Sequence, residues 1–311
     1  MRNALSILAV LAACGAASGA TLFATGSVSL YGNSYEVKQW RVNTDAGTTA
    51  FDPEALTFHN GVLYATADQG NSSGRGRLVQ YTPGATGSLA SPSFITMGNN
   101  NGVLWGPEGI TVNTSGAGYG SFGPGEFKLA TYDTNGAPNF GVVNVSAGGA
   151  LTNVQSGPDG DDFFFSASRN QFGLILDADG SVQWLDNNLV DTGVNTPTFL
   201  DAKGGTIVSA AWVQQAFGFT SATPEVMMIV GKTTNRLAMF DTNGLALGST
   251  QALLPVGLTM GEIEGVAVDE LNNKIYLADE AALSIHVVSV PAPATGLLAL
   301  AGLGLAGRRR R

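Results

Sequence analysis

The 311-residue chain is short of cysteine, histidine and charge. Its one cysteine, Cys14, has no partner within the chain, so stability must come from burial and sheet hydrogen bonding. The two histidines, His59 and His286, lack the spacing of a paired metal site, which removes the common zinc patterns. Charged residues make up only 13%. No stretch of the interior shows a convincing amphipathic helix, which argues against a helical architecture.

Basic charge is scarcer than the total suggests. Five of the 15 basic residues are Arg2 and Arg308 to Arg311, at the two ends. The remaining 10 face 24 acidic residues, a net charge of −14. That balance argues against nucleic acid or an anionic membrane surface as a partner and is compatible with divalent cations. What the chain does have is glycine, 42 residues of it, scattered among Asn, Ser and Thr. This composition suits many short strands joined by tight turns.

Both ends read as processing segments. Arg2, an apolar run from Ala4 to Ala13 and the small residues Ser18-Gly19-Ala20 form a secretory signal peptide over residues 1–20. Signal peptidase would cleave before Thr21. A rival reading takes Leu11-Ala12-Ala13-Cys14 as a lipobox, with a lipid on Cys14. At the other end, Val290-Pro291-Ala292-Pro293 is followed by an apolar run from Ala294 to Gly307 and then Arg308, Arg309, Arg310 and Arg311. The run falls short of the ~20 residues of a stable transmembrane helix, and the arginines would hold its end on the cytoplasmic side.

Residues 290–311 closely resemble the PEP-CTERM sorting signal of Gram-negative bacteria, with Ala292 where the usual motif has glutamate. The resemblance implies a short C-terminal apolar helix that anchors the chain in the membrane transiently. It also implies processing by an exosortase, and release to the cell surface or an exopolysaccharide matrix.

Between the ends, residues 21–289 carry a repeat. Its copies start at Asp52-Pro-Glu-Ala-Leu-Thr-Phe58, Gly106-Pro-Glu-Gly-Ile-Thr-Val112, Gly157-Pro-Asp-Gly-Asp-Asp-Phe163 and Glu262-Ile-Glu-Gly-Val-Ala-Val268. An acid, often a glycine, an apolar strand, a turn and a second strand recur roughly every 45 residues. The matching acids are Glu54, Glu108, Asp159 and Glu264. Asn60-Gly61 is a two-residue hairpin signal. Asp133-Thr-Asn-Gly136, Asp241-Thr-Asn-Gly244 and Asp177-Ala-Asp-Gly180 read as hairpin turns between outer strands. Asp269-Glu270 reads as a solvated turn. The expected fold is all-β: a β-propeller of six four-stranded blades, with five or seven left open by the irregular region 185–235, and with strands near Thr25 to Val42 completing the last blade.

Two stretches then suggest a family. Glu264-Gly-Val-Ala-Val-Asp-Glu270 with Lys274-Ile-Tyr-Leu-Ala-Asp-Glu280, and Pro53-Glu-Ala-Leu-Thr-Phe58 with Tyr64-Ala-Thr-Ala-Asp68, resemble blades of β-propeller phytases and phytase-like esterases. The resemblance implies that Glu54, Glu108, Glu262 and Glu264 face the central channel and bind Ca²⁺. Glu262 and Glu264, two apart on an extended chain, point to one side, and carboxylate oxygens suit calcium. The Lys, Arg and Tyr residues that such phosphatases place around substrate have no secure counterpart here. Two functions follow as expectations. One is a non-catalytic surface or matrix protein that binds a partner or glycan. The other is a calcium-dependent hydrolase of phosphate or carboxylic esters.

Three motif matches fail on context. Gly302-Leu-Gly-Leu-Ala-Gly307 follows no strand. Gly70-Asn-Ser-Ser-Gly74 precedes no helix, so it is no nucleophile elbow. Gly231-Lys-Thr-Thr234 lacks the first glycine of a P-loop. The four tryptophans, Trp40, Trp105, Trp184 and Trp212, read as packing between blades.

Overall fold

The computed structural model describes residues 20–42, 52–68, 77–84, 88–96, 106–112, 117–123, 128–133, 142–144, 160–176, 181–187, 190–196, 207–213, 226–231, 235–241, 249 and 251–290. The signal segment before Ala20, the sorting tail after Val290 and the three Asp-to-Gly turns lie outside them, apart from Asp133 and Asp241 at strand ends. Among the described residues every regular element is a β-strand, and no helix is long and apolar enough to cross a membrane.

Strands β1 (Thr21–Leu30) and β2 (Asn33–Arg41) form a hairpin. Four antiparallel sheets of four strands follow, each in chain order. The first holds β3 to β6 (Asp52–His59, Val62–Asp68, Arg77–Pro83, Leu89–Thr96). The second holds β7 to β10 (Gly106–Val112, Ala117–Gly123, Lys128–Asp133, Val142–Asn144). The third holds β11 to β14 (Gly160–Ser166, Gln171–Leu176, Val182–Leu185, Asp191–Thr196). The fourth holds β15 to β18 (Ile207–Val213, Val226–Gly231, Arg236–Asp241, Gln251–Ala252). Last come β19 (Pro255–Val256), β20 (Ile263–Asp269), β21 (Lys274–Asp279) and β22 (Ser284–Ser289).

The N-terminal hairpin completes this final sheet. β2 pairs antiparallel with β22, Glu36 opposite Ser289 and Arg41 opposite Ser284, and the order becomes β19-β1-β2-β22-β21-β20. The first strands of the five sheets are neighbours in a cycle: β3 lies beside β7, β7 beside β11, β11 beside β15, β15 beside β20, and β20 beside β3. This is a propeller arrangement, with each sheet radiating from its innermost strand.

The described residues thus build five sheets where six were expected. The reason lies in spacing. The inner strands start at Asp52, Gly106, Gly160, Ile207 and Ile263, wider apart than the ~45-residue repeat assumed. The N-terminal strands complete the last sheet, as expected.

Local chemistry accounts for the elements. Asn60 (φ 48°) and Gly61 (φ 81°) adopt the left-handed conformations of a tight hairpin, as their sequence requires. Alternation buries one row of each strand: in β2, Tyr35, Val37 and Gln39 are buried while Glu36 is exposed. Apolar clusters sit between adjacent sheets. Val37, Val266, Ile275 and Leu277 of the last sheet meet Val213, Leu237 and Met239 of the fourth. Tyr276, Ala278 and Ile285 meet Leu56, Leu63 and Val79 of the first. Phe58 stacks on Tyr276 across that seam, centroids 5.8 Å apart. Trp184 is 1% exposed and meets Phe164 edge-on at 5.7 Å, which fits its expected packing role. Gly173 lies beneath that Phe164 ring, where a Cβ would come within 2.4 Å of it.

Candidate functional site

The five inner strands give the ring two ends, an entry end where they begin and an exit end where they finish. At the entry end the pairing of each inner strand with its neighbour slips. The register shifts between Pro53 and Leu56, Pro107 and Gly109, Gly160 and Phe163, Ile207 and Ser209, and Ile263 and Gly265. The residues left out of the ladder are Glu54-Ala55, Glu108, Asp161-Asp162, Val208 and Glu264. The acids of the sequence repeat are therefore bulge residues, and a bulge re-aims its side chain away from the regular pleat. In the third copy the bulge falls on Asp161-Asp162, two residues beyond Asp159, which lies outside the described residues.

Packing holds these bulges tightly. A Cβ on Gly265 would lie 2.6 Å from the carbonyl oxygen of Glu54 and 3.0 Å from the nitrogen of Leu56, so only glycine lets β20 and β3 approach this closely. The Thr66 hydroxyl accepts the Ala55 N–H at 3.1 Å, and the Ser209 hydroxyl accepts the Val266 N–H at 3.0 Å. Buried backbone donors freed by the bulges thus find side-chain partners.

Of the four acids expected to hold a metal, the structure brings two together. Glu262 and Glu264 each offer a carboxylate oxygen within 4.8 Å of the other and of a third acid, Glu280. Glu280 arrives because the hairpin continues past the bulge: its N–H donates to the Glu262 carbonyl at 2.9 Å. Glu54 is half-buried on β3 and is not one of this group. Glu108 takes the matching bulge on β7, and its side chain is outside the described residues. Three carboxylates this close repel one another by about 1 kcal/mol per pair in water, and by several times that at the lower effective dielectric of a buried rim. Glu264 is only 8% exposed. A hard cation would relieve that repulsion.

The neighbouring acid has a different task. Asp279 and His286 are both fully buried, with His286 Nε2 2.7 Å from Asp279 Oδ2. The same carboxylate accepts the Gly261 N–H at 2.7 Å and the Ala282 N–H at 2.9 Å. It ties the chain entering β20 to the turn leaving β21. Asn235 adds a second tie, its amide nitrogen donating to the Gly261 carbonyl and its amide oxygen accepting the Ile263 N–H at 3.2 Å. Asp269, expected in a solvated turn, is instead 1% exposed and accepts the Asn272 N–H at 3.0 Å. The acids of this hairpin therefore divide into buried ties and a rim.

Beside that rim lies an open cavity of about 700 Å³ between β1, β2, residues 257–259 and the turn at 281–283. The Phe23 ring is half-exposed in it, with the Arg41 guanidinium 3.7 Å above the ring centroid. Sequence reasoning missed this pair, since Leu22-Phe23 stands only at the start of an edge strand.

The exit end is chemically different. A cavity of about 330 Å³ is lined by the last residues of all five inner strands, from Leu56 to His59 on β3 and Val266 to Val268 on β20. Its lining is apolar apart from Thr57, Thr111 and His59. Burial lowers the pKa of His59, and its Nε2 lies 2.9 Å from the Asn60 amide nitrogen.

Residues 289–311 match the PEP-CTERM protein-sorting motif, which marks the chain for export and bears out the resemblance read from Val290-Pro291-Ala292-Pro293. No curated protein sequence matches the chain. Among solved structures, a glutaminyl cyclase from Myxococcus xanthus superposes with a TM-score of 0.52 at 13% identity, over 78% of this chain and 92% of that one. A Bacteroides thetaiotaomicron protein of unknown function gives 0.47 at 12% identity, over 87% and 70%. A chain of a nidogen/laminin complex gives 0.43 at 11% identity, over 82% and 84%. At this identity the first likeness speaks to fold alone, and it agrees with the propeller arrangement.

Proposed function

We propose that this chain is an exported β-propeller that serves as a binding module at the cell surface or in the surrounding matrix. The observation that carries the reading is the separation of its chemistry-bearing groups. Glu54 and His59 stand at opposite ends of β3, about 17 Å apart along an extended strand. The buried pair, Asp279 and His286, is committed to holding a turn. General acid–base chemistry needs a pair that a substrate can reach, and the Asp279–His286 contact is fully buried. The half-exposed Phe23 with Arg41, beside an open cavity, suits a ligand such as a surface glycan. The sorting motif supports processing by an exosortase, from a Gram-negative cell, with membrane anchorage before release, and the N-terminal segment adds signal peptidase to this reading.

The acidic rim supports a second reading, in which Glu262, Glu264 and Glu280 hold Ca²⁺ and the chain hydrolyses phosphate or carboxylic esters. A cation there would polarise a phosphoryl oxygen and lower the pKa of a bound water. One assay separates the two. The mature domain is incubated with phosphomonoesters and simple esters, with calcium and with chelator. The binding-module reading expects no turnover in either condition. A calcium-dependent rate that collapses in Glu264→Gln would overturn it in favour of the hydrolase.

A further inference from the structure

We infer that, while the tail is inserted, the propeller sits with its exit end against the lipid bilayer and its acidic entry end pointing away. Leu271 then rests in the membrane interface. The inference rests on the anchoring role of the sorting tail and adds an orientation to it.

The argument starts at Val290. Its side chain is 4% exposed, and its N–H donates to the Asn273 carbonyl at 2.9 Å. The chain is therefore pinned to the β20–β21 turn, at the exit end, until its last described residue. Only Pro291, Ala292 and Pro293 separate it from the apolar run that begins at Ala294. Four residue steps span about 14 Å when fully extended and about 12 Å as a proline-rich segment. A run of 14 residues is too short to cross the ~30 Å hydrocarbon core even if helical, so insertion would leave the spacer little slack.

Strand length then decides the orientation. β21 and β22, six residues each, separate the two ends of their sheet by about 20 Å. Turning the entry end to the membrane would lift Val290 that far from the bilayer, beyond the reach of the spacer. The exit end needs no such reach, and it already presents an apolar side chain beside the outlet. Leu271, in the turn two residues before Asn273, is 87% exposed. Exposed leucines cost little at a water–lipid boundary and gain by burial there. With a net charge of −14 outside its two ends, the chain has no electrostatic attraction to anionic lipid. Tether and apolar contact set the orientation.

The mature chain from Thr21 holds no cysteine, which makes single-cysteine labelling clean. Leu271→Cys at the exit end and the exposed Ala281→Cys at the entry end are each made in the chain that keeps its tail. Each is labelled with a fluorophore and reconstituted into phosphatidylcholine vesicles with or without nitroxide-bearing lipid. Quenching several-fold stronger at position 271 than at 281 is expected. Equal quenching at the two, or the stronger at 281, would overturn the orientation. Vesicle flotation separates this from failure of the anchor. A chain that does not float loses both readings, whereas one that floats without the quenching difference loses only the orientation.

Discussion

At the entry end of the ring each inner strand begins with a break in its ladder, whereas at the exit end β3 passes into β4 through a regular two-residue turn. The same strands supply both ends, so the difference does not come from the fold class. It comes from what the backbone is asked to hold. The exit turns join neighbours in sequence and need only residues that tolerate positive φ. The entry bulge of the last sheet sets Glu264 beside Glu262 and Glu280, and ties such as Asp279 to Gly261 and Ala282 hold the chain around them. One end is specified locally and the other by contacts distant in sequence.

The largest effect should come from cutting an entry-end tie. Asp279→Ala removes the partner of His286 and of two backbone donors, and should cost about 3 kcal/mol or more. Urea denaturation would read this as a lower midpoint with little change in slope. Calcium probes the rim itself. If Glu262, Glu264 and Glu280 bind it, a concentration a hundredfold above the dissociation constant raises stability by about 2.7 kcal/mol. Glu264→Gln should abolish that rise in a thermal melt, and His59→Gln at the other end should leave it intact. At the exit end, Gly61→Ala forces a side chain into φ 81° and should cost about 1 kcal/mol, a local loss that leaves any calcium response unchanged.

The smallest effect concerns pH. Burial lowers the pKa of His59 below its ordinary 6.5. The unfolded chain then takes up the proton more readily than the folded one, so this contribution is fully present above about pH 6.5. It is lost as pH falls through that value towards the lower folded pKa. Because the ring is only partly buried, the slope should be shallow, and it should vanish in His59→Gln. An equal slope in that variant would place the titrating group elsewhere.

These contrasts match what the sequence made legible. The Asn60-Gly61 turn, the repeated strand pairs, the sorting tail and the closing role of the N-terminal strands were all readable, because each is local or recurs. The acids at Glu54, Glu108 and Glu264 were found through the same recurrence. Their bulged setting was not, since a register slip leaves no mark on composition. Glu280 stands in the sequence as an acid at the far end of the same hairpin but outside the repeat, and it is the continuing hairpin that places it beside Glu262. Asp269 and Asp279 look like any turn acids in sequence. Their burial depends on Asn272, Gly261, Ala282 and His286 converging on them in space. The number of blades is less legible, because the inner strands of the described sheets stand 47 to 56 residues apart and no single period fixes the count.

The closing pair, β2 with β22, also has a consequence in time. Glu36 cannot meet Ser289 until nearly the whole domain has been delivered to the same side of the membrane. A chain exported from its N-terminus stays open-ended throughout its passage, and such distant pairing is slow to form. Its final sheet can assemble only once β22 has emerged, a few residues before the sorting tail reaches the bilayer. The latch that completes the molecule is therefore also its customs stamp: closure reports that delivery is finished.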